Sequence, residues 1–304
     1  MHLTPRLALL LTVPPLLWAG NAIVGRMLVG SVPPLALNFL RWAIAAAILL
    51  PLGWRALREP HAIAARWPYL LALGVLGVGT YNAMQYLALV TSTPINVTLI
   101  ASSMPVWMLV VGAVGFGVRP GARQAAGAAL SLTGAALVIA RGDIGALARV
   151  QFVAGDLYMI VAAIAWAVYS WLLVRPPASM RPPERPAWNW AEFLLLQSLF
   201  GLLGAGAMAA GEAALADAAP IAWHDGRVLA ALAYVAIGPA IVAYRCWGLG
   251  VAAGGPTLAA FFSNLTPLLT ALLSAALLGE PPRAYHALAF ALIVGGIVVS
   301  SSRR

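Results

Sequence analysis

The sequence predicts an all-α membrane protein: ten transmembrane helices arranged as two inverted five-helix repeats around a central cavity. Three observations lead there. Of 304 residues, 62% are hydrophobic and only 9% are charged, too few charges to cover the surface of a soluble chain of this size. Ten apolar stretches approach the roughly 20 residues that cross a bilayer core. They lie near 7–25, 35–54, 69–89, 95–116, 122–140, 156–174, 190–211, 227–249, 256–278 and 283–300. Finally, the chain overlays on itself when shifted by 162 positions.

The spans leave only short loops, so no separate soluble domain is expected. The chain is basic (net +9) yet holds no Lys, and its 18 Arg gather in loops. With the N-terminus in the cytoplasm, eleven Arg fall inside: Arg6, Arg55, Arg58, Arg66, Arg119, Arg123, Arg175, Arg181, Arg185, Arg303 and Arg304. Five fall outside: Arg26, Arg141, Arg149, Arg227 and Arg283. That bias follows the positive-inside rule and puts both termini in the cytoplasm. The charge reports topology, and no nucleic-acid partner is expected. Arg6 before an apolar run resembles a signal peptide, but no small-x-small cleavage site follows, so the run reads as a retained first helix. The lone Cys246 excludes an intrachain disulfide and a Cys-based metal site.

The 162-residue shift lays Pro94 on Pro256, Pro105 on Pro267, Gly117 on Gly279, Pro120 on Pro282 and Gly134 on Gly296. Pro and Gly have specific backbone uses, so these matches outweigh the coincident Ala pairs. Trp18 and Trp166 occupy similar places near the two N-terminal ends at a different offset. Residues 1–145 and 146–304 therefore read as two copies of one unit. Because each copy has an odd number of spans, the second must lie upside down, an arrangement typical of transporters. An inert scaffold built by duplication is the other possibility.

Catalytic chemistry finds no support. The four His are scattered without metal-ligand spacing. A phosphate-binding G-x-x-x-x-G-K loop cannot exist without Lys. All nine acids lie in loops or at helix ends, so a proton relay through a buried carboxylate is not expected. No cofactor and no metal are called for, and the chain does not read as an enzyme.

Polar and aromatic residues inside the spans are the candidate site. The first span aligns Trp18, Asn21 and Gly25 on one face, and the sixth aligns Trp166, Tyr169 and Ser170. The third offers Tyr81 with Gln85, and Asn82 with Tyr86. The fourth presents Thr98, Ser102 and Pro105, answered in the ninth by Asn264 and Pro267, and the eighth adds Tyr234, Pro239 and Tyr244. Amides facing lipid would lie unsatisfied, so they must either join helices or line a wet cavity. Their concentration in spans 1, 3, 4, 6, 8 and 9 favours the cavity. The predicted substrate-binding set is Trp18, Asn21, Tyr81, Asn82, Gln85, Thr98, Ser102, Trp166, Tyr169, Tyr244 and Asn264. Trp107, Trp171 and Trp247 also lie deep enough to belong. An aromatic wall with uncharged hydrogen-bonding groups suits a neutral or zwitterionic small molecule. Arg245 reads as a snorkelling residue, and Arg41 as an interfacial anchor.

Thr93–Pro94 and Gly255–Pro256 read as helix starts. Pro105 and Pro267, about three turns on, each remove a backbone hydrogen bond and should kink their helices. Such matched kinks are either hinges or fixed shape. Small-residue faces on span 5 (Gly127, Ser131, Gly134) and span 10 (Ala291, Gly295, Gly296) allow close packing, against spans 4 and 9 or in a homodimer.

The ten spans, the 5+5 repeat, the paired Pro positions and the Leu278–Gly279–Glu280 exit from the ninth span resemble the drug/metabolite transporter superfamily in its EamA-domain branch. Within that branch the chain is most similar to bacterial YddG-type aromatic amino acid exporters. The resemblance implies a multi-pass inner-membrane transporter that moves amino acids by alternating access. Multidrug or other metabolite carriers share the same architecture. One departure is visible: Gly117–Val118 stands where the second repeat has Gly279–Glu280.

Overall fold

The computed structural model describes residues 3–28, 30–92, 94–215, 221–278 and 283–301. Those residues are helices and connecting loops, with no strand among them. In chain order the helices are α1 (Pro5–Met27), α2 (Pro34–Gly53), α3 (Pro60–Ala64), α4 (Trp67–Leu73), α5 (Tyr81–Thr91), α6 (Pro94–Ser102), α7 (Met104–Phe116) and α8 (Ala122–Ile139). There follow α9 (Ile144–Ala148), α10 (Ala154–Val174), α11 (Trp190–Leu215), α12 (Gly226–Val235), α13 (Ala243–Ser263), α14 (Leu265–Leu278) and α15 (Ala284–Ser301).

Each of the ten apolar stretches lies on helix, but not each forms one unbroken rod. Among the described residues seven helices are long and apolar enough to cross a membrane. An eighth is reached when α6 and α7, bent by 49°, count as one span. Gly226–Ser263 forms a single 38-residue stretch where two spans were read. It is broken at Gly255, whose φ of 79° and ψ of 159° lie in a region open essentially to Gly alone. Helix restarts there at Pro256, as the Gly–Pro pair suggests; Thr93, its counterpart, lies outside the described residues.

Two π-helical segments interrupt the spans, Gly74–Thr80 between α4 and α5 and Ala236–Val242 between α12 and α13. Both have local causes. Pro239 has no N–H to give to the carbonyl four residues back, so the ladder widens there. Gly74 lets α11 come so close that a Cβ would stand 2.6 Å from the Gly201 backbone nitrogen.

These segments begin and end 162 residues apart. So do the ends of α4 and α12, the starts of α5 and α13, the ends of α7 and α14, and both ends of α8 and α15. The packing repeats too: α1 packs against α13 and α14, α10 against α5, α6 and α7, α2 against α11, and α8 against α15.

The small-residue faces of α8 and α15 meet each other rather than their sequence neighbours. A Cβ on Gly127 would stand 2.6 Å from the Gly296 carbonyl oxygen, and one on Gly296 equally close to that of Gly127. Gly295 takes no part, with open space around its Cβ position.

Acids close the helix ends. Glu212 accepts from the backbone N–H of Leu35 (3.0 Å) and Ala36 (2.8 Å) at the start of α2. Asp156 accepts from Val153 N–H (2.8 Å) and from Asn96 Nδ2 (2.7 Å), and its other oxygen takes a short bond from Ser92. Anions at helix N-termini satisfy N–H groups that the helix itself leaves open. At one end of the bundle Arg66, between α3 and α4, reaches the loop after α10, donating to Ser179 O (2.8 Å) and Glu184 O (2.6 Å).

Candidate functional site

An aromatic cluster lies where α1, α2, α5, α10 and α13 converge. Trp166, three turns into α10, is its hub. The ring centroids of Tyr81 and Tyr169 stand 5.1 Å away, those of Tyr244 and Trp247 5.3 Å, and that of Trp18 5.4 Å. Trp18 also meets Trp247 at 5.4 Å, and Tyr244 meets Trp42 at 4.8 Å and Tyr169 at 5.9 Å. All fall in the range of attractive ring contacts, mostly edge-on or tilted. Trp166, Tyr169, Tyr244 and Trp247 are buried. Trp18 and Tyr81 are half-buried, as are Asn21 and Gln85 one turn beyond each.

The polar tips are fixed by the π segments and by neighbouring spans. Trp18 Nε1 donates to Pro239 O (3.4 Å), and Tyr244 OH makes a short bond to Gly77 O. Gly77 and Pro239 hold corresponding places in the two π segments. Trp247 Nε1 donates to Ser170 Oγ (3.1 Å), which donates back to Trp166 O (2.8 Å). Tyr169 OH donates to Gln197 Oε1 (3.1 Å) on α11. Trp18, Tyr169, Tyr244 and Trp247 are thus each held by ring contacts and by a hydrogen bond at the tip.

Of the predicted residues, Trp18, Tyr81, Trp166, Tyr169 and Tyr244 are thus brought together, with Asn21 and Gln85 alongside. Asn82 is buried and accepts from Arg41 NH1 (3.3 Å). Thr98 and Ser102 sit on α6, which carries no ring of the cluster. Asn264 is elsewhere: it donates to Ser131 Oγ of α8 (2.9 Å) and joins helices. Trp171 and Trp107 are likewise structural, donating to Met108 O (2.9 Å) and to Ser103 Oγ (3.0 Å).

Two expectations need correction. Arg41 is no interfacial anchor but 1% exposed, inside the bundle beside Trp42. Spans 2 and 7, outside the six in which the candidate residues concentrate, supply Asn38, Trp42 and Gln197 to the site or its border. The kink expected of Pro105 is present: the helix bends by 49° at Ser103, between Pro105 and the carbonyl of Ala101 that it cannot bond. The break in the second half falls at Asn264, three residues before Pro267. Arg245, by contrast, is exposed and stacks 4.0 Å over Trp190. Glu280 lies outside the described residues.

Such a site has ring walls for an apolar or aromatic group and amides, hydroxyls and one guanidinium for polar groups. Among the described residues no set of three His, Cys, Asp or Glu could hold a metal ion. Membrane-crossing helices packed around such an interior are the architecture that a carrier of small molecules requires.

The chain belongs to the EamA-like transporter family, whose profile matches residues 6–140 and 153–302. It is 28% identical over 292 residues to the aromatic amino acid exporter YddG of Ancylobacter novellus, covering 94% of this chain and 93% of that one. An uncharacterized transporter of Archaeoglobus fulgidus is 27% identical over 298 residues, 97% of each chain. A solved crystal structure superposes with a TM-score of 0.75 at 26% identity, over 97% of this chain and 96% of the other.

Proposed function

We propose that this protein exports neutral or zwitterionic small molecules, foremost aromatic and other amino acids, across a bacterial inner membrane by alternating access. In this reading residues 1–145 and 146–304 are inverted five-helix units with both termini cytoplasmic. Their rocking exposes the aromatic site to each side in turn. The observation that carries the reading is the ring cluster around Trp166, drawn from both halves and edged by Trp18, Asn21, Tyr81 and Gln85. Aromatic side chains pack well on such rings. The similarity to an aromatic amino acid exporter over nearly its whole length supports the same class. The helix breaks at Ser103 and Asn264 are the proposed flexing points, with Pro105 and Pro267 keeping the paired helices from fusing. No buried carboxylate of the described residues lies among the rings: Asp156 is engaged at the start of α10 and Glu192 at the start of α11. This favours exchange or facilitated export driven by the solute gradient over coupling through a buried carboxylate. The homodimer reading is weakened by the use of the α8 and α15 small-residue faces within the chain.

Counterflow in proteoliposomes tests this. Vesicles loaded with L-phenylalanine, L-tryptophan or L-leucine should accumulate the labelled counterpart, with and without a pH gradient. Indifference to every amino acid in the panel would reject the amino acid reading and point to another metabolite.

A further inference from the structure

Five buried side-chain atoms of the described residues have no hydrogen-bond partner within the protein, and three of them sit on one turn of α2: Asn38 Oδ1, Arg41 Nε and Trp42 Nε1. Buried polar atoms are seldom left unpaired, and a buried cation without a counter-charge is especially unfavourable. Arg41 is 1% exposed. Its polar contact is NH1 to Asn82 Oδ1, and its guanidinium stands 5.6 Å from the Trp42 ring centroid. The one ion pair among the described residues, Arg149 with Asp143, is exposed and elsewhere. Asn38 is held by its Nδ2, which donates to Val78 O (3.4 Å), leaving Oδ1 as a fixed acceptor. Asn38 and Arg41 are three residues apart, so they share a helix face. That face borders the aromatic site: Trp42 touches Tyr244, and Asn82 adjoins Tyr81 on α5.

We propose that this turn of α2 is the subsite for the α-amino-carboxylate head of the substrate. The carboxylate lies on the Arg41 guanidinium with Trp42 Nε1 as a second donor, the ammonium is received by Asn38 Oδ1, and the side chain rests on the rings around Trp166. An acceptor and a cationic donor one turn apart match the two opposite charges of a zwitterion, and an Arg fork suits a carboxylate. Because Arg41 is closed off in this conformation, the substrate reaches it when the halves rock apart. The assignment rests on the amino acid reading above and deepens it.

The test compares L-phenylalanine with phenethylamine, which lacks the carboxylate, and 3-phenylpropionate, which lacks the ammonium, as inhibitors of L-phenylalanine counterflow. On the wild type each truncated analogue should compete at least about ten-fold more weakly, the loss expected when a buried charge is left unpaired. Arg41→Gln should weaken L-phenylalanine roughly ten- to a hundred-fold and erase its advantage over phenethylamine, while Arg41→Lys keeps part of that advantage. Phenethylamine matching L-phenylalanine on the wild type overturns the subsite, as does a well-folded Arg41→Gln protein that keeps the wild-type preference. Should Arg41→Gln not fold, the wild-type competition alone decides. A wild type that moves no amino acid fails the functional reading itself, whereas transport with equal competition fails only this assignment.

Discussion

Trp166 touches five other rings, so its removal should be felt twice. Trp166→Ala opens a cavity in a packed centre and should cost about 3–5 kcal/mol, seen as a lower unfolding temperature in detergent, and should abolish counterflow. Trp166→Phe keeps a ring at the hub and should restore most of the stability with a raised KM. Equal transport by all three proteins would remove Trp166 from the site. Six rings of the cluster were legible in the sequence, all but Trp42, because an aromatic deep in an apolar span seldom serves the interface. Arg41 was not, because a cation early in a span normally snorkels; only the fold reveals that α2 turns it inward against α5. Asn264 misled for the opposite reason. An amide alone does not say whether a cavity or a neighbouring helix will satisfy it, and here Ser131 does so in part.

Among the elements, the helix starts at Pro94 and at Pro256 after the break at Gly255 were readable because a Pro imposes them. The π segments were not, since a widened turn depends on what packs beside it, as α11 does at Gly74. The α8–α15 crossing yields a sharp prediction. Gly127→Val would drive a side chain into the Gly296 backbone and should cost about 1–3 kcal/mol in thermal unfolding, whereas Gly295→Ala, which meets nothing, should leave the melting temperature unchanged. Similar melting of the two variants would refute that packing. At the broken spans, Pro105→Ala and Pro267→Ala remove the barrier to a continuous helix. They should slow counterflow several-fold while leaving unfolding nearly unaltered. Wild-type turnover in both would reduce the breaks to fixed shape.

For the molecule as a whole, the helix ends correspond at an offset of 162 residues, and α1 and α10 have corresponding packing partners in the other half. The repeat was visible from paired Pro and Gly residues, but the site at the junction was visible only as residue types, because which faces converge depends on tertiary packing. A carrier built this way must present its central residues to both sides of the membrane. The most direct measurement places a single cysteine at Asn21 or at Tyr81 in a Cys246→Ser background and probes it in oriented vesicles with a membrane-impermeant thiol reagent from each face. Labelling from both faces, slowed from either by L-phenylalanine, is the predicted result. Reactivity from neither face, or from one face only under all conditions, would contradict alternating access through this site.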